Sequence, residues 1–224
     1  MNFVHYLAIF LAPLISIIFY LFLRYKYPGG NFSLVIKSFL FGILCVSLVL
    51  IAESIARNYG WDDIKNLRRI AFYSLVIMGF SAELGKFIIL RYFVLPKEIC
   101  KGPTDGIIYS VIISLGYICI WNILYLFDII DLKFDVLYAF LIIPANIVFA
   151  VIMGFFVGLG KARKNRFIDS MTGLFAAVFF HGIFNFCYLT SDYLLLIIVS
   201  IGISIIAIAL ALKSLNIRPD KTII

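Results

Sequence analysis

Three polar groupings stand in stretches that are otherwise apolar, each with a spacing that could do chemistry. In Ser81-Ala82-Glu83-Leu84-Gly85-Lys86, a carboxylate and an ammonium three residues apart share one helical face and can neutralise one another. In His181-Gly182-Ile183-Phe184-Asn185, a spacing of four places an imidazole and an amide on one face, a turn apart. Imidazole is the usual proton shuttle near neutral pH, and an amide beside it can hold a substrate carbonyl or an attacking water. Asn146, Ala150, Gly154 and Gly158 recur every four residues, a stripe that lets a second backbone approach closely, with Asn146 its polar member. Tyr117, Trp121 and Tyr125 form an aromatic stripe with Asn122 beside it, a pattern more common in cores than in sites. Each grouping also has a purely structural meaning: an ion pair that pins packing, interhelical hydrogen bonds, or backbone contact.

These residues must be positioned by helices in a bilayer. Of 224 residues, 64% are hydrophobic and only 14% charged, more apolar surface than a soluble domain of this size can hide. Runs long enough to cross about 30 Å of hydrocarbon lie near 3–23, 34–52, 70–95, 106–127, 136–159, 168–190 and 193–212. The expectation is an all-α polytopic bundle of about seven transmembrane helices, one membrane-embedded domain over 1–224. The first run lacks a basic n-region and a clear cleavage site, so it reads as a retained helix. An ionisable group inside a span is costly, which makes Glu83, Lys86 and His181 functional candidates by default.

Lys and Arg set the orientation. Arg24, Lys26, Lys37, Arg91, Lys97, Lys101, Lys161, Arg163, Lys164, Arg166, Lys213, Arg218 and Lys221 fall on one side, against Arg57, Lys65, Arg68, Arg69 and Lys133 on the other. The N-terminus is therefore expected outside and the C-terminus in the cytoplasm, in the plasma membrane. Glu53 to Arg69, with Trp61, Asp62 and Asp63, suggests a short helix in the interface. The net charge of +7 belongs to such loops and implies no nucleic acid. Cys45, Cys100, Cys119 and Cys187 are scattered without a CxxC, and His5 and His181 make no zinc spacing, so no cofactor and no metal is expected.

From about residue 80 to 190 the chain resembles the PrsW family of intramembrane proteases, relatives of the CAAX- and bacteriocin-processing membrane proteases. The family's first motif, two glutamates then a lysine, stands here as Ala82, Glu83 and Lys86, with alanine at the first glutamate. The second is similar from Asp105-Gly106 through Leu115-Gly116-Tyr117 to Asn122, with Trp121 at a glutamate position. The third resembles Pro144-Ala145-Asn146 and Met153-Gly154-Phe155-Phe156-Val157-Gly158, with Asn146 where a histidine belongs. The fourth is met by His181 and Asn185.

The resemblance implies peptide hydrolysis in the membrane, on single-pass proteins such as anti-sigma factors. Glutamate and histidine would activate the water, and an amide and a second histidine would steady the tetrahedral intermediate. Glu83 is then the candidate base, His181 its partner and Asn185 the oxyanion donor, with Lys86, Asn122 and Asn146 in support. Three functions follow for comparison: an intramembrane endopeptidase, an inactive relative that binds and sequesters a client helix, or a transporter with Glu83 and His181 as a proton relay. No internal repeat or broken helix favours the last. Glu83, Lys86, His181 and Asn185 are expected to face the interior from the third and sixth helices. Trp121 should close part of the cavity, with its N–H directed to Asn146 or Asn185.

Overall fold

The computed structural model describes residues 3–26, 31–98, 100–127, 136–163 and 166–217, leaving out the side chains of residues 3–9, 125, 126 and 136. Asp128–Asp135 with Lys133, and Lys164, Arg218 and Lys221, lie outside the described residues, as do the side chains of His5 and Tyr125. The described residues form seven helical rods: α1 Phe3–Lys26, α2 Phe32–Asn58, α3 Leu67–Val94, α4 Pro103–Leu126, α5 Val136–Ala162, α6 Arg166–Leu189 and α7 Tyr193–Asn216. Among the described residues, six of them (α2 to α7) are long and apolar enough to cross a membrane. Large side chains such as Leu44, Phe179, Ile201 and Ile208 face outward, as they must where acyl chains are the solvent.

The helix starts are written in the sequence. Asn31, Asn66 and Asp192 accept the backbone N–H of Leu34, Arg69 and Leu195 at 3.0, 3.0 and 2.9 Å, satisfying donors that the first turn leaves open. Gly60, with φ +65°, ends α2, and the Trp61 N–H returns to the Ala56 carbonyl at 2.8 Å.

The stretch from Glu53 to Arg69 is not a separate interfacial helix. Glu53 to Asn58 completes α2, residues 61–66 are irregular, and α3 begins at Leu67. Glu53 itself is buried, with Arg57 one turn on at 3.8 Å. Arg69 ties the irregular segment by donating to the carbonyls of Gly60 and Asp63, at 3.0 and 3.2 Å, which removes the need for a helix there. Tyr59, Trp61 and Phe72 gather into an aromatic cluster beside it.

α4 runs through the middle, and glycine sets its distance from both neighbours. A Cβ on Gly116 would stand 2.1 Å from the Phe39 carbonyl oxygen of α2. On Gly106 it would stand 2.3 Å from the Gly154 oxygen of α5. The small-residue stripe of α5 therefore packs against α4, and this close approach brings the polar residues of the two helices within reach of each other. Lys161 at the end of α5 donates to the carbonyls of Leu95 and Lys97, pinning the α3–α4 connection over a buried Cys100.

Candidate active site

Four helices contribute to one buried polar cluster. Glu83 and Lys86 come from Ser81–Ile88, a regular α-helical segment of α3 flanked by two wider-turned segments, Tyr73–Phe80 and Ile89–Val94. In those segments the backbone bonds slip to five residues, as from the Leu95 N–H to the Leu90 carbonyl at 2.9 Å. Such insertions re-aim a face of a helix and recur at functional sites. Here they bracket the turn that carries the two charges.

Glu83 Oε1 accepts from Lys86 Nζ at 2.7 Å and from His181 Nδ1 at 2.7 Å. A carboxylate only accepts, so the Nδ1 of His181 carries the hydrogen. Lys86 Nζ also donates to Asn146 Oδ1 at 2.8 Å and reaches Ser114 Oγ at 3.4 Å, over the face of Tyr117 at 4.5 Å from its centroid. The amide of Asn146 is oriented by its own Nδ2, which donates to the Ile142 carbonyl at 2.9 Å. Ser114 Oγ donates to the Asn146 carbonyl at 3.0 Å, joining α4 to α5. His181 lies flat on Phe149, ring centroids 4.8 Å apart. Each charge thus has a partner, as burial in a low-dielectric interior requires.

The second part of the cluster is a chain of neutral donors. Trp121 is buried and stacks on Tyr117 with centroids 5.7 Å apart. Its indole neighbours the Tyr138 phenol, whose Oη donates to Asn185 Oδ1 at 3.2 Å. The expected acceptors of the indole N–H hold other partners, Lys86 and the Ile142 carbonyl for Asn146 and the Tyr138 phenol for Asn185. That phenol, from the start of α5, stacks on Tyr188 at 4.0 Å. Asn122 is buried beside Trp121, and Ala82 is fully buried next to Glu83.

The structure so brings Glu83, Lys86, Asn146 and His181 into direct contact and places Asn185 with Trp121 in the adjoining chain. Sequence reasoning missed Ser114, Tyr138 and the buried Glu53. For Ser114 a signal existed: Ser110, Ser114, Tyr117 and Trp121 follow one another at helical spacing along α4.

The chain matches the model of the PrsW family of intramembrane metalloproteases over residues 30–212. It belongs to that family. Proteases PrsW of known sequence are similar along most of their length. The one of Geobacillus kaustophilus is 29% identical over 182 residues, 81% of this chain and 78% of its own. That of Clostridioides difficile is 27% identical over 190 residues, 80% and 79%. That of Bacillus subtilis is 30% identical over 155 residues, 68% and 66%. No solved structure matches the chain.

PrsW membership makes this a multi-pass membrane protein and extends the similarity beyond residues 80–190 in both directions. It also raises the question of a metal. A catalytic zinc takes three protein ligands, nitrogen, sulfur or carboxylate oxygen, and leaves one position open. Among the described residues no group of three or more His, Cys, Asp or Glu side chains could hold a metal ion. The PrsW positions noted from the motifs hold Ala82, Trp121 and Asn146, of which only the amide presents an oxygen, and that oxygen faces an ammonium. The residues present do not fit the metal that the family name implies.

Proposed function

We propose that this PrsW-family member binds the transmembrane helix of single-pass membrane proteins and holds it without hydrolysis. It acts in the plasma membrane with its N-terminus outside and its C-terminus in the cytoplasm. The observation that carries this reading is a groove set directly against an occupied cluster. Between α5, α6 and α7 a cavity of about 410 Å³ is lined by Pro144, Val148, Phe149, Phe184, Ser200 and Ser204 among others. Its lining is apolar apart from a few hydroxyls, which suits a client helix entering sideways from the lipid. Behind Phe149 lies His181, already donating to a carboxylate that Lys86 also neutralises. An acid–base pair in that state, with Trp121 and Tyr138 occupying the adjoining space, supports capture over cleavage.

A second reading rests on two atoms. Glu83 Oε2 and Asn185 Nδ2 are buried without a hydrogen-bond partner among the described residues. A water taken up by Glu83 Oε2 would have Glu83 as its base, His181 as proton partner and Asn185 Nδ2 as a donor to the oxyanion. One experiment separates the two. The full chain is co-reconstituted in liposomes with an anti-sigma factor from the same cell, and both retention and cleavage of that single-pass protein are followed. Retention of the intact client, weakened at least tenfold by Ser204→Trp in the groove, is the expected result. Cleavage that Glu83→Gln abolishes would instead establish the second reading.

A further inference from the structure

Lys86 holds the position a divalent cation would need in this chain. Its ammonium touches Glu83 Oε1 at 2.7 Å and Asn146 Oδ1 at 2.8 Å, with Ser114 Oγ at 3.4 Å and the Tyr117 ring beneath. Those two oxygens, Glu83 Oε2, which has no hydrogen-bond partner among the described residues, and His181 are what the cluster offers a metal. The first two oxygens are directed at Nζ: Glu83 Oε1 by the short bonds it accepts, Asn146 Oδ1 because the amide's other end is fixed on the Ile142 carbonyl. A zinc ion would sit about 2.0–2.2 Å from each oxygen, sharing the same pair of acceptors with an ammonium in a dry interior. A metal there would have to share the one carboxylate with the ammonium, and among the described residues it would find His181 as its only imidazole.

We infer that Lys86 is the resident cation of this site, and that the chain folds and holds its polar cluster with no divalent metal, in contrast to the metalloprotease designation of its family. The inference rests on the family assignment and on the geometry of the cluster. It does not rest on the absence of hydrolysis. A chain that cleaves its client while free of metal would overturn the capture reading and leave this one standing. A metal-loaded chain that only captures would do the reverse.

The test uses the purified full-length chain in lipid nanodiscs, with metal content measured by mass spectrometry after passage through metal-free buffer. Fewer than about 0.1 zinc, manganese, cobalt or iron atoms per chain are expected, and neither EDTA nor added zinc should shift Tm. Lys86→Met removes the internal cation and should lower Tm markedly, with no recovery when zinc is added, whereas Lys86→Arg should retain more of it. One metal atom per chain in the wild type, a fall in Tm with EDTA, or rescue of Lys86→Met by zinc would each overturn the inference. The wild-type measurement decides even if Lys86→Met fails to fold.

Discussion

Gly106→Ala adds a single methyl group where α4 meets α5, and the structure allows its cost to be worked out. The new Cβ would lie 2.3 Å from the Gly154 carbonyl oxygen and 2.9 Å from the Gly158 Cα. These are backbone atoms of another helix, so no side chain can turn away. Relief to an ordinary contact requires the helices to part by about 1 Å, and a gap of 0.5–1 Å forfeits a quarter to a half of each dispersion contact along the seam. Overpacking of this kind costs about 1–3 kcal/mol, and here it acts along the most extensive helix pair in the bundle. With Tm moving by about 2–4 °C per kcal/mol for a chain of this size, a loss of about 3 kcal/mol is a drop of roughly 6–12 °C. Gly202→Ala is the internal control. A Cβ there meets nothing within 4 Å, so it should leave Tm unchanged or raise it slightly through helix propensity. The four cysteines, all free and buried, supply the assay: a thiol-reactive dye reports unfolding in detergent. If Gly106→Ala melts within 2 °C of the wild type, the close approach of α4 and α5 is not a constraint, and the positioning of Asn146 needs another explanation.

Two further perturbations test the polar contacts. Tyr138→Phe strips the phenol that donates to Asn185 beside Trp121 and should cost about 1–3 kcal/mol through the buried amide oxygen it leaves unpaired. Adding Trp121→Phe should cost less than the sum of the singles, and strict additivity would show that the two side chains are not coupled. Lys161→Met releases the carbonyls of Leu95 and Lys97 and should uncover Cys100, whose thiol burial pushes up to about 12 and so keeps unreactive near neutral pH. Loss of the lysine's charge alone would raise that pKa further, so faster maleimide labelling of Cys100 reports opening of the loop. Labelling by an impermeant reagent from the cytoplasmic side only would also fix the orientation.

The seven rods were legible because membrane spanning forces about 20 apolar residues into a run, and breaks such as Thr190 to Asp192 are short and polar. Glu83, Lys86 and His181 were legible for the complementary reason: a charge in such a run must find a partner, and few partners exist. What the sequence hides is how the partners are aimed. The wider turns at Tyr73–Phe80 and Ile89–Val94 have no residue signature, being largely apolar runs with Ser74, Gly79 and Arg91 among them. Tyr138 follows a polar break, where a tyrosine reads as an interfacial anchor, yet it is fully buried among Trp121, Phe184 and Tyr188. Glu53 was misread because four basic residues follow it, and only the extra turn of α2 carries it inward.

The polar residues that remain do not by themselves argue for catalysis. Glu83, Lys86 and His181 compensate one another, and removing one partner of a buried pair costs about 3–5 kcal/mol because the other is left uncompensated. Loss of function would relax any demand for hydrolysis, but it would not relax that penalty, so the three must stay or leave together. Ala82, Trp121 and Asn146 stand differently. Each is neutral, and each fits its surroundings: Ala82 fills its space against the core, Trp121 stacks on Tyr117, and Asn146 gives one amide end to Lys86 and the other to Ile142. A catalytic carboxylate or imidazole at those positions would have required further partners in lipid, and here neutral side chains make none necessary. The cluster is thus self-neutralising, with neutral side chains at the three other motif positions, a distribution that supports the capture reading proposed above.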